Sequence, residues 1–229
     1  MTEFAVQTRN LTKYYGKQQV LNNVSLSIPK GSIFGIVGPN GAGKTTLLKI
    51  LCGITKPNSG DVFVFGEKLN QKNIKKIGAL IESPAIYGNL TASENLLLHA
   101  LLSGLGAREI NRALEIVGLD TGKKVASKFS LGMKQRLGIA IALLGDPEIL
   151  VLDEPTNGLD PIGVQEMREL IISLKESGKT VIVTSHILSE VEKIIDKLVI
   201  IHKGTIKYDG DFDRNQDLEK LFTSIIRGF

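Results

Sequence analysis

The stretch Ile33-Phe34-Gly35-Ile36-Val37-Gly38-Pro39-Asn40-Gly41-Ala42-Gly43-Lys44-Thr45-Thr46 decides how the rest of the chain is read. Its first five residues are an apolar run of strand length. Gly38 to Thr45 then spell G-x-x-x-x-G-K-[ST], and the apolar helical pattern of Leu47-Leu48-Lys49-Ile50-Leu51 follows. Glycines in such a loop let consecutive backbone N–H groups turn inward toward phosphate oxygens. The helix behind them directs its positive end at the same anion. Lys44 can reach the terminal phosphates, and the Thr45 hydroxyl can ligate Mg²⁺. Gly38, Pro39, Asn40, Gly41, Ala42, Gly43, Lys44, Thr45 and Thr46 are therefore the candidate nucleotide-binding residues, with ATP and Mg²⁺ as the expected ligands.

A second apolar run, Ile149-Leu150-Val151-Leu152, ends in two acids, Asp153 and Glu154. A strand buried on both faces delivers such side chains to the carboxyl edge of a parallel sheet, where ligands bind. Beside a phosphate loop, Asp153 is placed to hold Mg²⁺ and Glu154 to polarise the attacking water. Thr180-Val181-Ile182-Val183-Thr184-Ser185 is a third apolar run, with His186 at its end to contact the terminal phosphate. His99 and His202 read as ordinary surface or core residues. Lys44, Glu154 and His186 are the candidate catalytic residues.

Outward from these runs, strands at Ile33–Val37, Ile77–Ile81, Ile149–Leu152, Thr180–Thr184 and Leu198–Ile201 alternate with helical segments, an α/β pattern. Lys203-Gly204 reads as a hairpin turn into Thr205–Tyr208, and the first thirty residues read as antiparallel strands. Between Ser83 and Asp146 the apolar spacing becomes helical, over Ala92–Leu102, Ile110–Val117 and Gly132–Leu144. The expected organisation is one unit, residues 1–229, in which 1–82 and 147–229 form an α/β lobe and 83–146 an inserted helical lobe. Ser83-Pro84 and Asp146-Pro147 mark the junctions. Asp211 to Phe229 reads as polar, then weakly amphipathic, closing in a short helix.

Composition bounds the partners. The 229 residues are 42% hydrophobic and 23% charged, and suit one compact domain of two lobes. Lys and Arg total 28 against 24 Asp and Glu, a net +4 spread along the chain. That excess fits an anionic ligand, a membrane surface or plain solvated charge, and no basic-aromatic cluster points to nucleic acid. Cys52, the single cysteine, allows no internal disulfide and reads as buried helix in a reducing compartment. Met1-Thr2-Glu3-Phe4 carries no visible secretory leader. The longest apolar run, Ile139 to Leu144, is far short of the about 20 residues that cross a bilayer, so a membrane role would come through a partner.

Taken together, the motifs resemble the nucleotide-binding subunits of ABC transporters over nearly the whole chain. Phe129-Ser130-Leu131-Gly132-Met133-Lys134-Gln135-Arg136 sits where that family has its L-S-G-G-Q signature. Asp153 to Asp160 looks like its Walker B and D-loop run, Thr184-Ser185-His186 like its switch histidine, and Tyr15-Gly16 like its adenine-stacking aromatic loop, with Tyr14 as an alternative ring. The resemblance implies an α/β P-loop NTPase fold with a mixed sheet, an N-terminal antiparallel β subdomain and an inserted α-helical subdomain. It also implies an ATP hydrolase in which two subunits, identical or different, pair head to tail around two ATP molecules. Ser130, Gly132 and Asp160 would then act in binding nucleotide across that interface. Transmembrane permease subunits would follow the motion, holding the chain peripherally on the cytoplasmic side of the membrane, with Pro84–Tyr87 as the docking segment.

Two departures narrow the resemblance. Leu131 and Met133 replace the first glycine and the glutamine of the signature. The position after Ile77–Ile81, normally Gln, is Glu82, a charged metal-ligand candidate in place of a neutral one. A glutamate here, with Leu80 to Pro84 and Asn89 to Asn95 around it, is similar to subunits that export lantibiotics and bacitracin for self-immunity or resistance. Lack of the C-terminal extension of some bacitracin-type subunits leans toward the lantibiotic branch. Two other classes share the phosphate loop. Mechanical ATPases acting on DNA or ribosomes would add a long coiled coil or a second cassette; in the class of nucleotide kinases and small GTPases, a GTPase would add Asn-Lys-x-Asp; none of these features is found.

Overall fold

The computed structural model describes residues 3–212 and 217–227. The strands are β1 (Phe4–Tyr15), β2 (Gln18–Pro29), β3 (Ile33–Val37), β4 (Ser59–Val64), β5 (Glu67–Lys68), β6 (Ile77–Leu80), β7 (Ile149–Asp153), β8 (Thr180–Ser185), β9 (Lys197–His202) and β10 (Thr205–Asp211). The helices are α1 (Lys44–Leu51), α2 (Ala92–Leu102), α3 (Ala107–Ile116), α4 (Leu131–Leu143), α5 (Pro161–Glu176), α6 (Leu188–Val191) and α7 (Leu218–Arg227). An antiparallel sheet runs β2-β1-β4-β5, and a second sheet runs β10-β9-β3-β8-β7-β6. The second sheet is parallel from β9 to β6, with β10 antiparallel at its edge.

Strands β3, β7, β8 and β9 of the second sheet read as near-continuous apolar runs because both faces are covered. The pleat sorts them: Phe34, Ile36, Ile149, Val151, Ile182, Val199 and Ile201 enter one core, shared with α1 and the antiparallel sheet. Ile33, Val37, Leu150, Leu152, Val181, Val183, Leu198 and Ile200 enter the other, shared with α2, α4 and α5. The carboxyl ends of β3, β7 and β8 are thereby locked side by side.

The segment between β6 and β7 holds α2, α3 and α4. A capping box starts α2: Thr91 Oγ1 accepts from Glu94 N–H at 3.3 Å, and Thr91 N–H donates to the Glu94 carboxylate at 2.8 Å. At the far end of the segment, Asp146 accepts from Lys179 at 2.6 Å and from Arg112 of α3 at 2.9 Å, which holds its carboxyl below the usual range.

The structure departs from expectation in several places. The antiparallel sheet extends beyond the first thirty residues, since β4 pairs with β1. Ser59-Gly60-Asp61 hides that strand, leaving only Val62 and Val64 as its buried pair. Strand β6 stops at Leu80, while β7, β8 and β9 each run at least one residue past the expected ends. Helix α3 starts at Ala107 rather than Ile110, because Gly106 N–H donates to Glu109 at 3.1 Å. The short α6 carries no periodicity that sequence reading can catch. In the expected Asp211–Phe229 closing segment, residues 213–216 and 228–229 lie outside the described residues, as do 1–2 of the N-terminal reading. What is described there, α7, is more amphipathic than expected: Leu218 is fully buried, and Leu221, Phe222, Ile225 and Ile226 pack on the core at helical spacing.

Candidate active site

The loop from β3 into α1 is shaped by two close approaches. A Cβ on Gly38 would lie 2.3 Å from the Ile201 carbonyl oxygen. Gly43 has φ +107°, and a Cβ there would meet Val20 O at 2.9 Å, so neither position accepts a side chain. Gly43 also leaves α1 without a side-chain cap, and the first turn contains no acid. The leading N–H groups of a helix have no intrahelical partner, so this end can accept an external anion. Asn40 and Gly41 are exposed at the loop tip, Pro39, Thr45 and Thr46 are half-buried, and Ala42 and Lys44 are buried. The Lys44 ammonium donates to Gly38 O at 2.8 Å and Pro39 O at 3.4 Å, and lies 3.5 Å from a Glu154 oxygen. An arriving phosphate offers it charged oxygens in place of these carbonyls.

The acids stand opposite. Asp153 is only 6% exposed, and each of its oxygens accepts a hydroxyl: Thr45 at 2.8 Å and Thr184 at 2.6 Å. Glu154 turns out of β7 with φ +49°, its N–H donating to Thr184 Oγ1 at 3.0 Å. Its carboxylate bridges Lys44 and His186, the latter through Nδ1 at 2.9 Å. Lys44, Thr45, Asp153, Glu154 and His186 thus form one connected constellation. A hydroxyl and a carboxylate oxygen in contact are hard donors that fit Mg²⁺. Among the described residues no group of three or more His, Cys, Asp or Glu side chains is arranged to hold a metal ion by itself.

Glu82 stands apart, with φ +63°. Its side chain is 62% exposed and paired with Lys49 of α1 at 2.6 Å. That hydrogen bond, with added attraction from Glu82, Tyr15 and Asp153, holds the Lys49 ammonium above its ordinary pKa of 10.5. Tyr15 ends β1 half-exposed, with Lys13 Nζ 5.1 Å from its ring centre, and Tyr14 is also exposed.

Ser130, Gly132 and Asp160 do not join the constellation. They line a separate cleft of about 440 Å³ whose lining includes no residue of the phosphate loop. Ser130 caps α4, accepting from Met133 N–H at 3.2 Å. Asp160 caps α5, accepting from Gly163 N–H at 2.7 Å, so that carboxylate already has a structural task. Sequence reading missed Thr184 and Lys49 as members of the site. Thr184 hides in an apolar strand, and Lys49 looks like any basic residue on a helix.

The profile of the ABC transporter family matches residues 21–157. The chain is 46% identical over 222 residues to the lantibiotic transport ATP-binding protein SrtF of Streptococcus pyogenes, covering 96% of this chain and 97% of that one. The chain belongs to the ABC transporter family. It is also 51% identical over 214 residues to the bacitracin transport ATP-binding protein BcrA of Bacillus licheniformis, covering 91% and 70% of the two chains. Among solved structures it is similar to the dimeric ATP-binding cassette MJ0796 bound to ADP and Pi, with a TM-score of 0.80 at 28% identity, covering 91% and 99%. A similar match is to the ADP conformation of the MJ1267 cassette, with a TM-score of 0.86 at 25% identity and full coverage of both chains. The chain is accordingly an ATP-binding subunit of an ABC transporter and an ATP hydrolase. Subunits of this family dimerise and work with transmembrane permeases. No helix among the described residues is long and apolar enough to cross a membrane.

Proposed function

We propose that this subunit powers export of a peptide antibiotic of the lantibiotic or bacitracin type, giving self-immunity or resistance. The observation that carries the proposal is the high identity to SrtF and BcrA over most of the chain, in a protein with Glu82 beyond β6.

In this reading ATP lies on the phosphate loop, with its adenine against Tyr15 and its phosphates at the α1 terminus and Lys44. Thr45 and Asp153 would hold Mg²⁺, with Glu82 as a further candidate ligand. When bound, Mg²⁺ would supply positive charge to offset the negative charge developing on the phosphate oxygens. Glu154 accepts a proton from the attacking water as general base. His186 keeps that carboxylate in place at 2.9 Å and can contact the terminal phosphate. Lys44 exchanges its carbonyl partners for phosphate.

A second nucleotide-binding subunit supplies Ser130 and Gly132 to the nucleotide, and Asp160 approaches with them. This arrangement is supported by their location in a cleft apart from the chain's own phosphate loop. The permease docks beside Pro84–Tyr87, a segment pinned to α2. The buried Asn95 side chain accepts from Tyr87 N–H at 2.7 Å and donates to Tyr87 O at 3.1 Å. Tyr87 is exposed, as are Leu97, Leu98, Leu101 and Leu102 of α2, apolar side chains that suit contact with a helix of a membrane protein. The subunit is then peripheral to the membrane on its cytoplasmic side, with residues 83–146 as a helical lobe between the two parts of an α/β lobe. DNA or ribosomes as partners find no supporting feature.

The test is resistance. A sensitive cell carrying this chain and its permease should tolerate a lantibiotic or bacitracin, and Glu154→Gln should abolish that tolerance. Unchanged sensitivity across such a panel, with ATP turnover intact, would exclude peptide-antibiotic export.

A further inference from the structure

Thr184 lies on β8 directly opposite Asp153 and is fully buried. Its hydroxyl does two things at once. It donates to Asp153 Oδ1 at 2.6 Å and accepts the Glu154 N–H at 3.0 Å. One hydroxyl carries one donor and two acceptor sites, so both bonds are compatible. Thr45 meets the other Asp153 oxygen at 2.8 Å, which clamps that carboxylate from two elements.

The second bond matters because of where it falls. The β7–β8 ladder ends at the Asp153–Thr184 pair, so the Glu154 N–H has no strand partner to continue it. Glu154 is also in the left-handed region, φ +49°, which a non-glycine residue keeps only where its surroundings hold it. The same turn sends the Glu154 carboxylate back toward Lys44 and His186. Residues 181–183 of β8 are apolar, so Thr184 is the first hydroxyl on that strand to reach the acids.

We infer that Thr184 is a positioning residue for ATP hydrolysis: its hydroxyl holds the end of β7 in the turn that aims Glu154, and orients Asp153 in the same act. This rests on the proposed roles of Glu154 and Asp153. It predicts that geometry, rather than nucleotide affinity, is lost when the hydroxyl goes. Thr184→Val keeps the β-branched shape suited to a buried strand and removes only the polar contact.

The experiment measures kcat and the equilibrium binding of a non-hydrolysable ATP analogue on the full chain. Misaimed catalytic groups lose about 10²-fold from displacements of the order of an ångström. Thr184→Val is therefore expected to lower kcat about 10- to 100-fold with analogue binding within about 3-fold of wild type. Thr184→Ser is expected to restore kcat to within about 3-fold. In a Glu154→Gln background, Thr184→Val should leave residual turnover within about 2-fold, because groups acting as a unit are non-additive. A Val variant with wild-type kcat overturns the inference, as does proportional loss of binding, a Ser variant no better than Val, or losses that multiply in the Glu154→Gln background. Should the Val variant fail to fold, Thr184→Cys, with its weak S–H donor, serves instead: kcat between wild type and Glu154→Gln supports the inference, and wild-type kcat overturns it. Normal turnover in Glu154→Gln alone would instead remove the underlying role of Glu154.

Discussion

Glu82 and Glu154 follow neighbouring parallel strands, β6 and β7, and both adopt left-handed backbone, φ +63° and +49°. Their surroundings differ sharply. The Glu154 side chain is 23% exposed and lies between Lys44 and His186, with its backbone N–H captured by Thr184. The Glu82 side chain is 62% exposed and has one partner, Lys49. A carboxylate held by an ammonium and an imidazole, on a backbone anchored to a buried hydroxyl, keeps one geometry. One tied by a single ion pair at the surface is free to exchange that partner, since such pairs are worth only about 0–1 kcal/mol. The same residue type, at comparable places on one sheet, is thus held from several sides in one case and by a single surface pair in the other.

This contrast can be broken or sharpened by substitution. The largest effect is expected for Glu154→Gln, which should retain ATP binding while turnover falls about 10²- to 10⁴-fold, the span a general base supplies. A single-turnover assay reads this, and near-normal rates would mean the enclosed glutamate is not the base. Lys44→Ala should instead weaken binding itself, about 10- to 100-fold in equilibrium titration, for the loss of charge-assisted contacts to phosphate. Unaltered affinity would show that the buried ammonium does not meet the nucleotide.

On the open side, Glu82→Gln is expected to retain hydrolysis within about 10-fold while the Mg²⁺ and Mn²⁺ concentration dependence shifts, since a neutral oxygen replaces a charged donor. Complete inactivity would place Glu82 beside Glu154 as indispensable and erase the contrast. The smallest effect belongs to Lys49→Met. Losing one half-exposed ion pair should cost at most about 1 kcal/mol, or about 2–4 °C in melting temperature. Lys49 has a raised pKa, so its contribution is complete below pH 10.5 and fades only as pH climbs through the higher folded value. At neutral pH the thermal shift should therefore be flat, and a strong dependence near pH 7 would point to another titrating partner.

The convergence of Lys44, Thr45, Asp153, Glu154 and His186 was legible because the proposed chemistry depends on local order. Gly38 to Thr45 must be contiguous to turn a backbone around an anion, and Asp153-Glu154 must directly follow an apolar strand to reach the sheet edge. Strand β4 was not legible, because Gly60 and Asp61 dilute its pattern and its pairing with β1 spans some fifty residues, as in Arg9 with Asp61. Thr184 and Lys49 were not legible for the same reason: each acquires meaning only from a residue on another element.

From its residues alone, this protein declares a loop of the phosphate-binding pattern, a strand ending in two acids and an α/β alternation, since each depends on neighbours in the chain and on the fixed periods of strand and helix. Tertiary structure alone decides which hydroxyl clamps Asp153, which cation Glu82 rests on, and that Ser130 and Asp160 face a cleft of their own. Those contacts join positions far apart in sequence, and only the packing of both faces of the central sheet brings them within hydrogen-bonding reach.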